Sequence, residues 1–211
     1  MKHMEQEFKW EANAPRSFAR MLRAVARMAG EKQTGKPRKL HITDTYLDTV
    51  QGALGKQKIA LRVRNTDGKY EATFKTKTEL VDGKAVRREE TLPLPRVHSA
   101  AEALKELAAR KTWDGLALEN LLPLFVIKNK RTAYLIRLDK KTSAELSLDD
   151  CRILSGGRTL LMKEIELELK SGDEESFASF AKELTRVCGL VPARVSKVKT
   201  AVALQKIWEK K

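Results

Sequence analysis

Several features that define other protein classes are scarce in this chain of 211 residues. Its only cysteines, Cys151 and Cys188, form neither a CxxC pair nor a metal-ligand spacing, so we expect reduced thiols rather than a disulfide framework. No apolar run approaches the ~20 residues of a membrane helix, and the N-terminus lacks the apolar core of a signal peptide. These absences predict a cytoplasmic protein with no membrane association.

Linkers are equally scarce, because no Pro-, Gly- or Ser-rich stretch and no low-complexity segment interrupts the sequence. We therefore expect a single domain over residues 1–211, a length that can bury a sizeable core. Aromatic residues make up only 6% of the chain and form no obvious cluster that would mark an adenine or thiazolium pocket. The three histidines are scattered and have no serine or cysteine nucleophile signature near them, which argues against a catalytic triad.

Charge, in contrast, is abundant: the chain has 42 Lys and Arg against 28 Asp and Glu, a net charge of +14. Such a balance favours polyanionic partners, namely nucleic acid, an acidic membrane or phosphorylated small molecules. The acids are not depleted, however, and they stand beside the bases in the predicted strands. A plain nucleic-acid patch does not require that arrangement.

The first predicted strand shows a pattern that recurs along the chain. Glu5, Glu7 and Lys9 alternate with Phe8 and Trp10, which predicts a strand with one charged face and one largely apolar face. The same sorting of charges occurs in residues 61–64, 74–77, 144–149 and 164–170. Several strands that each place their charges on one face suggest a sheet closed so that those faces meet.

The chain as a whole predicts an α+β fold, mostly antiparallel, with about eight strands closed into a β-barrel and helices packed outside. Helical periodicity bounded by capping signals predicts the helices. One helix follows Asn13 and ends at Gly30, a second follows Ser99, a third ends at Gly189, and a fourth follows Ser196. A further short helix is predicted from Leu116 to Leu122.

A barrel interior with so many charges is costly unless the charges are paired, hydrated or ligated, so we expect a water-filled tunnel. Carboxylates offer the hard oxygen ligands that suit Mg²⁺ or Mn²⁺, whereas Lys and Arg donate to phosphate oxygens. Together these are the parts needed for phosphoryl transfer. The expected interior set is Glu5, Glu7, Lys9, Arg62, Arg64, Lys75, Lys77, Arg131, Glu145, Asp149, Glu164, Glu166 and Glu168.

This ordered series closely resembles the CYTH family, also called triphosphate tunnel metalloenzymes. The segment Glu5-x-Glu7-x-Lys9 is similar to the family's ExExK signature. The resemblance continues through Tyr46-Leu47-Asp48-Thr49, Leu61-Arg62-Val63-Arg64, Lys75, Arg87-x-Glu89, Arg131, the two acidic strands at 144–149 and 164–168, and Ser196-Lys197. As a departure, Val50 replaces the usual proline or similar residue after the Tyr-x-Asp-Thr segment. The stretch from Arg87 to Glu90 can pair with its neighbouring strands in two registers. A slip of one residue between them exchanges the residues that face inward with those that face outward.

The resemblance implies an eight-stranded antiparallel tunnel that binds triphosphates with a divalent metal. It assigns metal binding to Glu5, Glu7, Asp149, Glu164 and Glu166, and catalysis to Glu5, Glu7, Lys75, Glu164 and Glu166. It assigns substrate binding to Lys9, Arg62, Arg64, Lys75, Lys77, Arg87, Arg131 and Lys197. Further candidates are Asp48, Glu89, Glu145 and Glu168. Lys128 and Lys130 have the opposite parity to Arg131, so we expect them on the outside.

The leading hypothesis is a triphosphatase that uses Mg²⁺ or Mn²⁺ and converts inorganic triphosphate to pyrophosphate and orthophosphate. Thiamine triphosphatase and class IV adenylyl cyclase are alternatives within the resemblance, the second disfavoured by the lack of a His-Phe opening. A non-enzymatic alternative is a module that binds polyphosphate or RNA. The acidic strands count against it, because carboxylates repel a polyanion unless a metal intervenes. We expect a small-molecule triphosphate as partner, no stable nucleic-acid partner, and a monomer or homodimer.

Overall fold

A computed structural model describes residues 2–30, 34–76, 79–81, 84–113 and 115–209. The strands are β1 (Lys2–Glu11), β2 (Arg38–Thr49), β3 (Ala60–Thr66), β4 (Lys69–Lys75), β5 (Glu79–Val81), β6 (Lys84–Pro93), β7 (Thr112–Trp113), β8 (Leu116–Ala117), β9 (Leu121–Arg137), β10 (Ser143–Ser155) and β11 (Arg158–Ser171). The helices are α1 (Ser17–Ala29), α2 (Ala53–Lys56), α3 (Ala100–Arg110), α4 (Glu174–Cys188) and α5 (Lys197–Glu209). No helix in these ranges is long and apolar enough to cross a membrane.

Eight of the strands close into an antiparallel barrel, which confirms the predicted fold class. Their order is β1-β11-β10-β9-β2-β3-β4-β6, and pairing of β6 with β1 completes the ring. The short strand β5 pairs with the start of β6, on the side that β4 occupies further along. Because the ring is closed, every barrel strand has a neighbour on both sides, and the barrel has no edge strand with unpaired backbone N–H and C=O groups.

The strand register places the charged faces together inside the ring. Lys9 lies opposite Glu166, and Asp149 lies opposite both Glu164 and Arg131. Residues directly opposite each other share a face of the sheet, so these side chains project to one side. On β6 the register places Arg87 opposite Glu5, and Lys75 of β4 lies opposite Glu89. Glu89, which is buried, therefore belongs to the inward face of β6, and this is one of the two registers that the sequence allowed.

The outer apolar faces of the strands are covered by helices on two sides. One core joins Met21 and Val25 of α1 and Phe177 of α4 to outward residues of the acidic strands such as Ile165 and Leu167. A second core joins α2 and α3 to β3 and β4, through Leu54, Leu107 and Leu61 among others. Helices α1, α3 and α4 in these layers are outer helices that the sequence predicts, whereas α2 was not predicted.

Helix α5 is placed differently, because it packs against residues of the inner face. Its Val198, Ala201 and Val202 contact a cluster that includes Tyr46, Phe125, Ile127, Cys151 and Ile153. Cys151 and Ile153 continue the inward face of β10 beyond Asp149. In addition, the Ser155 hydroxyl donates to the Ala201 carbonyl at 2.9 Å. Helix α5 therefore covers one end of the barrel interior.

Two predictions of local structure are wrong. Asn13 does not cap α1: Arg16, with φ 61°, precedes the helix, and the Asn13 side chain instead accepts a hydrogen bond from Lys163 N of β11. Residues Leu116 to Leu122 form no helix, because Leu116 and Leu118 are buried on either side of exposed Ala117. That alternation suits a strand, and β7 and β8 pair as a small ribbon around Gly115, whose φ is 83°.

Other boundary signals are confirmed. The Ser99 hydroxyl accepts from Glu102 N at the start of α3, and Ser196 accepts from Lys199 N at the start of α5. Gly30 and Gly189 end α1 and α4 with φ of 84° and 59°, values that glycine adopts at little cost.

Candidate active site

The centre of the interior is an acid cluster formed by Asp149, Glu164 and Glu166. Each offers a carboxylate oxygen within 4.8 Å of the other two, and all three residues are buried. The pairing of β10 with β11 explains the cluster, since Asp149 lies opposite Glu164 and Glu166 follows two residues later on the same face. Buried carboxylates this close repel one another, so cations must accompany them.

Lys197, the first residue of α5, supplies one of those cations. Its Nζ donates to Glu166 Oε1 at 2.8 Å and to Asp149 Oδ2 at 2.9 Å, and it also contacts Glu164 Oε2. The position of α5 across the end of the barrel therefore directs Lys197 into the acid cluster.

Lys9 and Arg131 are the other two cations. Lys9 Nζ lies 2.6 Å from Glu166 Oε1 and 3.1 Å from Glu7 Oε2. Arg131 donates to both oxygens of Asp149 from one edge of its guanidinium, through Nε and Nη2 at 2.7 Å each, and Nη2 also donates to Glu166 Oε2 at 2.5 Å. Three predicted phosphate-binding residues thus contact four predicted metal ligands directly, namely Glu7, Asp149, Glu164 and Glu166.

These contacts separate the pKa values of neighbouring carboxyls. Burial raises the pKa of Glu164 to about 7, against the lowering effect of Lys197 and Lys9. Burial acts in the same direction on Glu166, but Lys197, Lys9 and Arg131 outweigh it and lower the pKa of that carboxyl well below its usual range. The pKa of Asp149 is lowered in the same way, despite its burial, by Lys197 and Arg131.

The donor set of the acid cluster fits a hard divalent cation. Carboxylate oxygens are the ligands that Mg²⁺ and Mn²⁺ prefer. Glu164 Oε1 is buried and accepts no hydrogen bond within the described ranges of the chain. A buried acceptor without a donor is costly, and a bound cation would supply the missing partner.

A second group, the Asp44 cluster, lies on β2 and β3. Arg64 donates to both oxygens of Asp44, from Nε at 2.7 Å and from Nη2 at 2.8 Å, and Arg62 Nη1 lies 3.5 Å from the same carboxylate. Burial would raise the pKa of Asp44, but Arg64 and Arg62 outweigh it and lower that pKa well below its usual range. Both arginines, Arg62 and Arg64, therefore share one anionic partner, the carboxylate of Asp44.

The sequence prediction missed Asp44. A usable signal was present, because Asp44 stands one strand alternation before Tyr46 and so shares the face of that family-like segment. Its pairing with Arg64 across β2 and β3 is fixed by register.

A third group, the Lys75 cluster, joins β4 to β1 and β6. Lys75 Nζ lies 3.1 Å from each oxygen of Glu5 and also contacts Glu89 Oε2. Glu5, Glu89 and Lys75 are shielded from solvent, with side-chain exposures of 8%, 10% and 13%. The structure therefore brings the predicted residues Glu5, Lys75 and Glu89 together.

The remaining candidates lie at the edges of this network or outside it. Glu145 pairs with exposed Arg38 at 2.5 Å, and Glu168 pairs with Lys170 at 2.8 Å. Burial raises the pKa of Glu168, with Lys170 opposing it. Asp48 is buried but accepts backbone N–H bonds from Thr49, Leu54 and Gly55.

Five residues singled out by the sequence therefore need comment. Asp48 accepts the backbone hydrogen bonds that organise the turn into α2, and its role as a candidate site residue stays a prediction. Lys77 and the side chain of Arg87 lie outside the described residues. Lys128 and Lys130 are exposed on the outer face, as predicted.

Comparisons with known proteins agree with this geometry. Residues 3–202 match the family model of the CYTH domain. The chain is also similar to an inorganic triphosphatase of Haemophilus influenzae, with 31% identity over 145 residues, which is 69% of this chain and 40% of the relative. The chain thus spans less than half the length of that relative.

Solved structures show the same fold. A Hippeastrum protein, named as an adenylyl cyclase with a dominant triphosphatase activity, has a TM-score of 0.65 at 18% identity, over 95% of this chain and 96% of its own. A protein of Pyrococcus horikoshii has a TM-score of 0.61 at 18% identity, over 95% of this chain and 99% of its own. These identities establish a likeness of fold, while the family match covers nearly all of the sequence. The chain belongs to the CYTH domain family.

Proposed function

We propose that this protein hydrolyses triphosphates in its barrel interior, with inorganic triphosphate as the first choice of substrate and a divalent metal as cofactor. The observation that carries the proposal is the acid cluster, a buried three-carboxylate site surrounded by Lys9, Arg131 and Lys197. The similarity to a relative named as an inorganic triphosphatase supports the substrate choice. Residues 1–211 would act as one unit, in the cytoplasm, as a monomer or homodimer.

The acid cluster is the part of the site suited to hold Mg²⁺ or Mn²⁺. Asp149, Glu164 and Glu166 would be its ligands, and Glu7 is tied to the same group through Lys9. Glu5 is a further predicted ligand that contacts Lys75. When bound, the ion would neutralise phosphate oxygens and make an attached water more acidic.

The cations would hold the phosphate chain. Arg62, Arg64 and Lys75 lie on the β3 and β4 side, whereas Lys9, Arg131 and Lys197 surround the acid cluster. Each of these cations now lies against a carboxylate, which accepts hydrogen bonds from all of them except Arg62, so substrate oxygens would replace carboxylate oxygens as acceptors. Charge-assisted bonds of guanidinium to phosphate are at least as directional as those to carboxylate, so this exchange preserves the orientation of the donors.

The reaction itself would be an in-line hydrolysis. A water oxygen bonds to the terminal phosphorus, the bond from that phosphorus to the bridging oxygen breaks, and pyrophosphate leaves with the bonding electron pair. One proton of the water passes to an interior carboxylate. The fixed cations orient the chain so that the terminal phosphorus, and not an inner one, meets the water.

A product assay tests the proposal. Inorganic triphosphate, thiamine triphosphate, ATP and pyrophosphate are each incubated with Mg²⁺ or Mn²⁺, and products are followed by phosphorus NMR with and without chelator. We expect one orthophosphate and one pyrophosphate from inorganic triphosphate, no cleavage of pyrophosphate, and no turnover in chelator. Cyclic AMP from ATP, or faster turnover of thiamine triphosphate, would overturn the substrate choice. Hydrolysis that survives chelator would overturn the role of the metal.

A further inference from the structure

Part of the barrel's outer surface carries basic residues that do not belong to the interior site. On the outer face of β9, β10 and β11, Lys128, Lys130, Arg152 and Lys163 are all exposed; we call these four residues the basic face. Each is adjacent in sequence to a residue of the inner face, such as Arg131 or Glu164, so the alternation of the strands directs it outward. His41 of β2, opposite Lys130, extends the same surface.

The basic face contains an unfavourable arrangement of charge. Lys128 of β9 lies directly opposite Arg152 of β10, and like charges in that relation destabilise a sheet. Two acids meet this surface: Asp150 lies opposite Lys130 and is 3.9 Å from Lys163, and Asp67 Oδ1 lies 3.6 Å from His41 Nδ1. Neither is recorded in an ion pair with Lys128 or Arg152 within the described part of this surface. Such a like-charge pair on an exposed sheet contributes nothing to stability.

The composition of the basic face indicates how a partner would be recognised. The strand positions on it are Lys, Arg, His, Asp, Thr and Leu, and the aromatic ring beside it, Phe18 of α1, packs against the helix core with Lys163 Nζ 5.7 Å from its centroid. Single-stranded nucleic acid is typically bound through stacking of bases on such aromatic rings. Positively charged side chains on their own contact the phosphates, and such contacts do not distinguish one base sequence from another.

The dimensions favour a double helix over a single chain. Neighbouring strands lie about 4.8 Å apart, so Lys163 on β11 and His41 on β2, three strands away, are separated by roughly 14 Å. That span is comparable to the major groove of B-form DNA, about 12 Å wide. The side chains of Lys163 and His41, at the two edges of the surface, can therefore reach phosphates on both strands of one duplex.

We propose that the basic face binds the phosphates of double-stranded DNA independently of base sequence. This site is separate from the barrel interior and does not depend on triphosphate hydrolysis. It also departs from the expectation, drawn from sequence, that the protein has no stable nucleic-acid partner. The contact would account for part of the +14 net charge.

Binding of a short fluorescein-labelled DNA duplex, followed by anisotropy across a salt series, tests the proposal. We expect the double variant Lys128→Glu/Arg152→Glu to lose on the order of tenfold or more in affinity, and its plot of log affinity against log salt to flatten by about two units. The matched control is Arg23→Glu/Arg27→Glu, which makes the same change of net charge at exposed positions of α1. It should retain affinity within about threefold. Both double variants should keep triphosphatase turnover, because neither alters the interior.

A stability measurement tests the same surface without DNA. The single variant Lys128→Glu converts the like-charge pair with Arg152 into an opposite-charge pair, so its melting temperature should rise while its DNA affinity falls. A melting temperature that stays the same or falls would contradict the argument from charge repulsion.

Three results would overturn the proposal. Equal losses in the two double variants would show that net charge, and not this face, governs binding. Tighter binding of single-stranded DNA or of inorganic polyphosphate than of the duplex would assign the face to another polyanion. The absence of duplex binding at low salt would remove the site altogether.

Discussion

The two sides of the barrel interior solve the problem of buried charge in different ways. In the acid cluster, three carboxylates share three cationic side chains. Glu166 by itself contacts all three of them, Lys9, Arg131 and Lys197. In the Asp44 cluster, one carboxylate is held mainly by the two-pronged contact of Arg64. A shared network loses several contacts when one member changes, whereas a discrete pair loses one.

The difference also appears in proton affinity. The shared network holds Glu164 with a pKa raised to about 7 by burial, beside Glu166 with a lowered pKa. The Asp44 cluster has a single carboxyl whose pKa its arginines lower against burial. A side that distributes charge unequally suits chemistry and metal binding, while a side that fixes one pair suits the orientation of donors.

The largest expected effect comes from the shared side. Glu166→Gln keeps the shape of the side chain but removes a charge, so turnover of inorganic triphosphate should fall by about 10³-fold, while triphosphate still binds. Steady-state phosphate release and calorimetric titration separate the two quantities. The control is Glu168→Gln, on the same face but paired with Lys170, which should lose far less activity. Unchanged turnover in Glu166→Gln would mean that the two sides do not differ in chemical role.

On the discrete side, Arg64→Ala should act on binding. It removes a bidentate donor, and hydrogen bonds to charged groups contribute about 1.5–3 kcal/mol, so triphosphate affinity should fall roughly 10- to 100-fold. The measurement is the dissociation constant by titration calorimetry. Arg38→Ala, which removes an exposed arginine paired with Glu145, is the control and should change affinity little. A loss of turnover with unchanged affinity in Arg64→Ala would contradict the division of roles.

The pH dependence of stability should reveal Asp44. Its pKa is lower in the folded protein than in the unfolded chain, so its contribution is fully present above the unfolded value of about 3.9 and is lost as pH falls through the folded pKa. Asp44→Asn should therefore destabilise by on the order of 1–2 kcal/mol near pH 6, and the difference from the parent should shrink below about pH 4. Urea unfolding at several pH values measures it. A difference that does not vary with pH would mean that this pair is not ionised in the fold.

The smallest effect concerns the covered end of the barrel. Ser155→Ala removes the hydrogen bond to the Ala201 carbonyl and should cost about 1 kcal/mol, or roughly 2–4 °C in melting temperature. Ser143→Ala removes a more exposed hydroxyl contact, to Ser171, and should cost less. Equal shifts in the two variants would show that α5 is not held by this contact.

The sequence predicted the parts of the interior that depend on alternation within one strand. Glu5, Glu7 and Lys9, and likewise Glu164 and Glu166, needed only a period of two to be placed on one face. The same rule placed Lys128 on the outside. The closed ring followed from several such strands and from the family resemblance.

The sequence could not supply contacts set by tertiary packing. Helix α5 was expected outside with the others, since its apolar pattern does not say whether it meets an outer or an inner face. Asp48 resembled a site residue but accepts backbone hydrogen bonds, because the turn into α2 brings three N–H groups to it. Which cation meets which carboxylate depended on the register of separate strands, which a single strand's pattern does not contain.

The placement of α5 has a consequence for the shape of the molecules that can be processed. Along β10, Glu145 stands near the rim, Asp149 lies deeper, and Cys151 and Ile153 meet α5 at the bottom. Helix α5 therefore covers the interior on the side of Asp149 that lies away from Glu145. If the interior holds a phosphate chain as proposed, that chain would enter from the Glu145 side, and one of its ends would lie toward α5.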